Sequence, residues 1–131
     1  MDINYLVTVL LFVLVGWFIY KRVAPVKGLI KLTDEQLNGK LKVPGTSMLI
    51  DVREPHEFST SHINGAVNVP LSKLKHRLKE IPTDRELILY CQSGMRSKQA
   101  ARILQQQKHK DIYHLSGGIA SWSGKKKSGN G

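Results

Sequence analysis

Residues 3–20 carry no charged side chain, and only Asn4, Thr8 and Gly16 interrupt an otherwise apolar run. A helix made from such a stretch has no polar face, so it cannot sit half-buried on the surface of a soluble core. About 18 residues rising about 1.5 Å each reach about 27 Å, close to the thickness of a bilayer's hydrocarbon interior. Trp17 and Tyr20 suit one membrane interface, and Lys21 and Arg22 can snorkel from it toward water. A cleaved signal peptide calls instead for a basic start, a shorter apolar core and small residues at a cleavage site. Here the run starts after Met1-Asp2 and ends directly in Lys21-Arg22. The expectation is an uncleaved transmembrane helix over residues 1–20. Lys21, Arg22, Lys27 and Lys31 all follow it, so the positive-inside bias places the rest of the chain in the cytoplasm.

With 131 residues in all, what remains suffices for one domain. Residues 21–31, with Pro25 and Gly28, read as a basic linker, residues 32–123 as the domain, and residues 124–131 as a disordered basic tail lacking apolar side chains. The formal charge of +10 raises the question of nucleic acid. The basic residues, however, cluster at the membrane flank and in the tail and are scattered elsewhere, with no aromatic interleaving. A membrane-facing, solvated basic surface fits better, and no nucleic-acid partner is expected. A single cysteine excludes an internal disulfide framework and a multi-cysteine metal site.

Within the domain, Thr33 followed three residues later by Gln36 is a capping box, predicting a short helix to about residue 41. Met48-Leu49-Ile50-Asp51-Val52 is a brief strand, and Glu54-Pro55 opens a helix with proline in its first turn. A turn and a short strand closed by Pro70 follow. Leu71, Leu74, Leu78 and Ile81 then recur at helical spacing. Residues 87–90 form an apolar strand, residues 97–107 a helix, and residues 111–115 a last strand. Gly117-Gly118 then leads to a short helix carrying Trp122. Strands alternating with helices in this way predict a parallel α/β sheet.

The cysteine falls where that alternation is sharpest. Leu87-Ile88-Leu89-Tyr90 runs into Cys91, a loop Gln92-Ser93-Gly94-Met95-Arg96 follows, and the helix begins. Ligands of open parallel sheets bind beyond the C-terminal strand ends. A helix N-terminus and a neighbouring cation favour thiolate, the nucleophilic form of cysteine. Arg96 supplies a permanent charge able to meet thiolate or an anionic substrate, Gly94 permits a tight turn, and Ser93 offers a hydroxyl. Against this stands the ordinary reading of a lone cysteine ending a buried strand, an inert small hydrophobe.

Three ordered motifs favour the reactive reading. Cys91-Gln92-Ser93-Gly94-Met95-Arg96-Ser97 resembles the active loop of the rhodanese-like domain family. Asp51-Val52-Arg53-Glu54 through Glu57-Phe58, His62-Ile63-Asn64-Gly65-Ala66 and Asn68-Val69-Pro70 resemble that family's N-terminal signature. Leu115-Ser116-Gly117-Gly118-Ile119 with Trp122 resembles its C-terminal one. Ser61 stands where the family usually has glycine, a departure touching a turn and not the chemistry. The resemblance implies a mostly parallel five-stranded sheet flanked by helices, and sulfur transfer through a persulfide on Cys91. The outer sulfur of a thiosulfate-like anion would pass to Cys91 and then to a thiol, cyanide or a protein cysteine, without metal or organic cofactor. It also implies that Gln92, Ser93, Gly94, Met95, Arg96 and Ser97 bind substrate, with Arg96 attracting the anionic donor.

Asp51 and Arg53 are expected to form an internal ion pair near the site, and Trp122 to anchor packing. His62 is expected to bond the turn after it, whereas His56, His76, His109 and His114 have no partner at metal or catalytic spacing. Two other functions compete. Phosphatase and arsenate-reductase loops of the same fold place their arginine one position further on; the shorter spacing here makes a cradle for one sulfur atom. The other is a non-catalytic or sulfur-relay interaction module at the membrane, and retention of the cysteine argues against the non-catalytic form.

Overall fold

The computed structural model describes every residue except Met1, Lys110, Asn130 and Gly131. Helix α1 spans Ile3–Val23, contributes nothing to the core, and is long and apolar enough to cross a membrane. Strand β1 (Ile30–Leu32) leads to helix α2 (Asp34–Leu41). The predicted capping box is in place there: Gln36 N–H donates to Thr33 Oγ1 at 3.2 Å and Thr33 N–H donates to Gln36 Oε1 at 2.9 Å. Then come β2 (Ser47–Asp51), α3 (Pro55–Thr60), β3 (His62–Ile63), β4 (Val67–Asn68) and β5 (Glu86–Tyr90). Helix α4 (Met95–Gln106), β6 (Ile112–Leu115) and β7 (Lys126–Lys127) complete the chain.

Five strands form one parallel sheet in the order β1-β6-β5-β2-β4, with β5 at its centre. Successive side chains of a strand face opposite ways, so a sheet covered on both sides needs apolar residues at every position. In β5, Leu87 and Leu89 join Ala100, Ala101 and Leu104 of α4 on one face, while Ile88 and Tyr90 join Leu37, Ile63 and Trp122 on the other. Cys91 continues the first set. Strand parity thus delivers its sulfur to the face that α4 covers.

Three sequence expectations change. Residues 71–81 form no α-helix but two 3-10 turns, Leu71–His76 and Leu78–Glu80. The chain breaks at Arg77, whose guanidinium turns back to Asn68 O at 3.2 Å and to Glu80 at 2.7 and 2.8 Å. Residues three apart eclipse in a 3-10 turn, so the same leucine spacing still buries Leu74 and Ile81.

The tail departs from the disorder expected of residues 124–131, of which Asn130 and Gly131 lie outside the described residues. Lys126–Lys127 pairs antiparallel with His62–Ile63, and Lys125 O accepts from Asn64 N–H at 3.1 Å and from Trp122 Nε1–H at 3.3 Å. Backbone pairing needs no apolar side chains, which is why composition does not reveal it.

The expected linker is also partly helix and otherwise docked. Helix α1 runs through Lys21 and Arg22 to Val23. Beyond it Ala24 O accepts from Arg102 at 2.9 Å, Lys27 O accepts from Gln105 at 2.7 Å, and Val26 and Leu29 pack on the α4-side core.

Candidate active site

Cys91 leaves the end of β5 with 1% of its surface exposed. Its Sγ accepts a hydrogen bond from Gly94 N–H at 3.0 Å. Gly94 caps α4 at φ 106°, and a Cβ there would collide with the carbonyl oxygen of Ser116. Only glycine both adopts this turn and fits this gap. No acidic residue lies in the first turn of α4, so the positive end of the helix dipole faces the sulfur unneutralised. Ser97, in that first turn and fully buried, donates through Oγ to Gly94 O at 2.9 Å; its Oγ is also 2.9 Å from His114 Nδ1 and 3.8 Å from Cys91 Sγ.

The loop is braced from β6. Ile119 N–H donates to Cys91 O at 2.9 Å and Ala120 N–H to Gln92 O at 3.2 Å. Gly118, at φ 66°, lets this second loop close in, because a Cβ would overlap the Gln92 carbonyl. From the other side Arg53 grips Asp51 through Nε (3.1 Å to each oxygen) and Nη2 (2.7 Å), and donates to Ser61 O at 2.6 Å. Asp51 also accepts from Arg53 N–H at 2.9 Å, so both partners of this buried pair are satisfied. The guanidinium lies 5.8 Å from the Tyr90 ring centre, and Tyr90 Oη accepts from Ile63 N–H at 3.0 Å. Burial first, then the Asp51 charge, pushes the Tyr90 hydroxyl far above its ordinary pKa.

A cleft of about 380 Å³ opens beside the loop, walled by Arg53, His56, Glu57, Gln92, Ala120 and Lys126. It reaches Gln92 but not the sulfur. Ser93 and Met95 are exposed at the tip of the loop, whereas Gly94 and Ser97 are buried beneath it.

Arg96 is not the free cation the sequence suggests. Its two terminal nitrogens donate to Glu57 at 2.6 and 2.9 Å, a parallel pair that leaves Nε–H for other use. The same hydrogen bonds hold the Glu57 carboxyl down to about 2 against the desolvation that opposes them.

His62 departs from expectation too: Nδ1 bonds Phe58 O at 2.8 Å, in the turn before it, and the ring stacks on Phe58. Trp122 is buried in the α2-side cluster.

Two residues near the sulfur escape sequence reasoning. Glu57 sits in a quoted motif without a role, because its partner lies 39 positions away. His114 has no local signal at all; only the register that aligns β6 beside β5 brings it behind Ser97. Burial, with smaller contributions from Lys98 and Lys31, lowers its pKa to about 4, so the ring is neutral.

Residues 33–125 match the Rhodanese-like domain family model. YqhL, an uncharacterized protein of Bacillus subtilis, is 46% identical over 97 residues, covering 74% of this chain and 75% of that protein. A sulfurtransferase of Allochromatium vinosum is 36% identical over 93 residues, covering 71% of this chain and 87% of its own. The crystal structure of a rhodanese-related protein from Thermoplasma volcanium superposes with a TM-score of 0.64 at 30% identity, covering 71% of this chain and 89% of that one.

Proposed function

The chain belongs to the rhodanese-like domain family, and from that premise we propose that it is a sulfurtransferase carrying sulfane sulfur as a persulfide on Cys91. The observation that carries this reading is the Cys91 sulfur set at the mouth of α4, receiving the Gly94 N–H.

In the first half-reaction thiolate Cys91 attacks the outer sulfur of a donor such as thiosulfate. The S–S bond of the donor breaks, sulfite leaves with the electron pair, and Cys91–S–S⁻ remains. In the second, a thiolate, cyanide or protein cysteine attacks the terminal sulfur, and the electron pair of the S–S bond returns to Cys91 as thiolate. The helix end and the Gly94 N–H stabilise the persulfide anion. Arg96 meets the donor through Nε–H or by exchanging Glu57 for it. Gln92, Ser93, Met95 and Ser97 line the path of the incoming sulfur. Asp51 and Arg53 hold the strand end rigid, and no metal or organic cofactor takes part.

Helix α1 serves as a membrane anchor that keeps the domain on the cytoplasmic side, with Lys21, Arg22 and Lys27 at the inner interface. The phosphatase reading is weaker, since Arg96 is already paired with Glu57 and follows Cys91 by five positions, one fewer than in phosphate-handling loops of this fold.

Incubating the purified chain with thiosulfate and weighing it intact tests the proposal. The expected result is a gain of one sulfur, removed by cyanide or dithiothreitol and absent in Cys91→Ser. Failure to gain sulfur from thiosulfate, a polysulfide and a low-molecular-weight persulfide alike would refute it.

A further inference from the structure

Behind the loop, a buried hydrogen-bonded row joins Cys91 to a histidine that plays no part in the chemistry above. His114 is fully buried on β6, and its Nδ1 lies 2.9 Å from Ser97 Oγ. The same Oγ lies 2.9 Å from Gly94 O. A carbonyl oxygen only accepts, so the single hydroxyl proton of Ser97 must lie on that contact. Nδ1 then has to be the donor to Oγ, which fixes His114 as the neutral tautomer protonated at Nδ1. Its other nitrogen, Nε2, is a buried lone pair with no partner among the described residues. The remaining lone pair of Oγ faces Cys91 Sγ at 3.8 Å, within reach of the thiol proton.

This row changes when the sulfur becomes charged. A thiolate or a persulfide has no proton to give to Oγ and instead takes one. The Ser97 hydroxyl can rotate from Gly94 O to Sγ, because Lys98 N–H, at 3.4 Å, still serves the Gly94 carbonyl. What the hydroxyl cannot do is turn toward β6, where Nδ1–H already occupies its lone pair.

We propose that His114 is a positioning residue: by donating from Nδ1 it keeps the Ser97 proton on the sulfur side, making Ser97 a second donor, beside Gly94 N–H, to the charged sulfur. The inference rests on Cys91 being the sulfur nucleophile. It adds a member to that site from a strand that holds none of the loop residues.

The full-length protein in detergent, alkylated at Cys91 with iodoacetamide, provides a test independent of any sulfur donor. Ser97→Ala and His114→Leu should each slow alkylation about tenfold, as expected for losing one hydrogen bond to a charged acceptor. The double variant should be no slower than either single one, since both remove the same contact. His114→Asn, whose amide N–H falls where Nδ1–H stands, should stay within about twofold of the unaltered protein. His114→Gln, whose amide N–H falls near Nε2 instead, should match His114→Leu and replaces it if that variant does not fold. Unchanged alkylation in Ser97→Ala, equal rates in the Asn and Gln variants, or additive losses in the double variant would overturn the proposal. Normal alkylation behaviour in a protein that never gains sulfur would refute the sulfurtransferase reading and leave this one standing.

Discussion

Glu57 holds both terminal nitrogens of Arg96, so an anionic donor would meet the loop's permanent cation already paired. The pair is part-exposed, its side chains 33% and 25% accessible, so screening by solvent keeps its strength to about 1 kcal/mol. Glu57→Gln should therefore lower the KM for thiosulfate about fivefold at low salt. A neutral donor should be unaffected, and the difference should shrink as salt rises. Arg96→Ala should do the reverse, impairing uptake from anionic donors more than release of sulfur already on Cys91. Steady-state rates with charged and neutral donors read both effects.

The Glu57 pair also has a pH signature. Its carboxyl is depressed to about 2 in the folded chain, against 4.5 ordinarily, so its stabilisation is complete above 4.5 and is lost as pH falls toward 2. His114 adds a second acid-side slope at milder pH. Between 6.5 and about 4 the unfolded chain binds a proton that the buried ring refuses, so stability falls as pH drops through that window. Replacing His114 by Asn should flatten this slope in urea titrations across the window while leaving the stability at pH 8 less affected.

Among the elements, the loop after β6 has the tightest tolerance, because its backbone lies against the backbone of the sulfur loop. Gly118→Ala adds a positive-φ backbone strain of about 1–3 kcal/mol to an overlap with the Gln92 carbonyl, and two backbones cannot part without moving Cys91. The variant should melt lower and lose most sulfur loading, as differential scanning calorimetry and intact mass would record. Gly65→Ala, with positive φ but open space around it, should cost the strain alone and keep its activity.

The elements also mark where sequence reasoning reaches and where it stops. The capping box at Thr33 and Gln36, the proline opening α3 and the doubly buried β5 are local patterns, and the structure has them in place. Cys91 at a strand end with a helix close behind follows from the same kind of pattern. Residues 71–81 mislead because i, i+3 spacing is shared by α and 3-10 geometry, and only the Arg77 break separates them. The β3–β7 pair, the Glu57–Arg96 pair and His114 behind Ser97 each join residues far apart in the chain. Periodicity has no term for such meetings, which come from the tertiary fold.

At the scale of the whole molecule, the arrangement to test is a domain on a membrane helix. In intact cells, Lys79→Cys in a Cys91→Ser background provides an exposed thiol that avoids the buried one. A membrane-impermeant maleimide should leave it unlabelled until the cells are opened; labelling beforehand would reverse the orientation proposed above.

Residues 24–29 give that arrangement a further consequence, because they are held to α4 by Arg102 and Gln105 rather than left loose. With α1 in a bilayer, the domain would not swing like a weight on a string. It would turn with its helix as a solid body. The docking points lie in the far half of α4, seven and ten residues or about 10–15 Å along its axis from the Cys91 loop, so the loop would keep a nearly constant height and tilt over the lipid. Encounters with a sulfur acceptor would then be governed by spinning about the membrane normal and by sliding in the plane, two slow motions in place of one fast one.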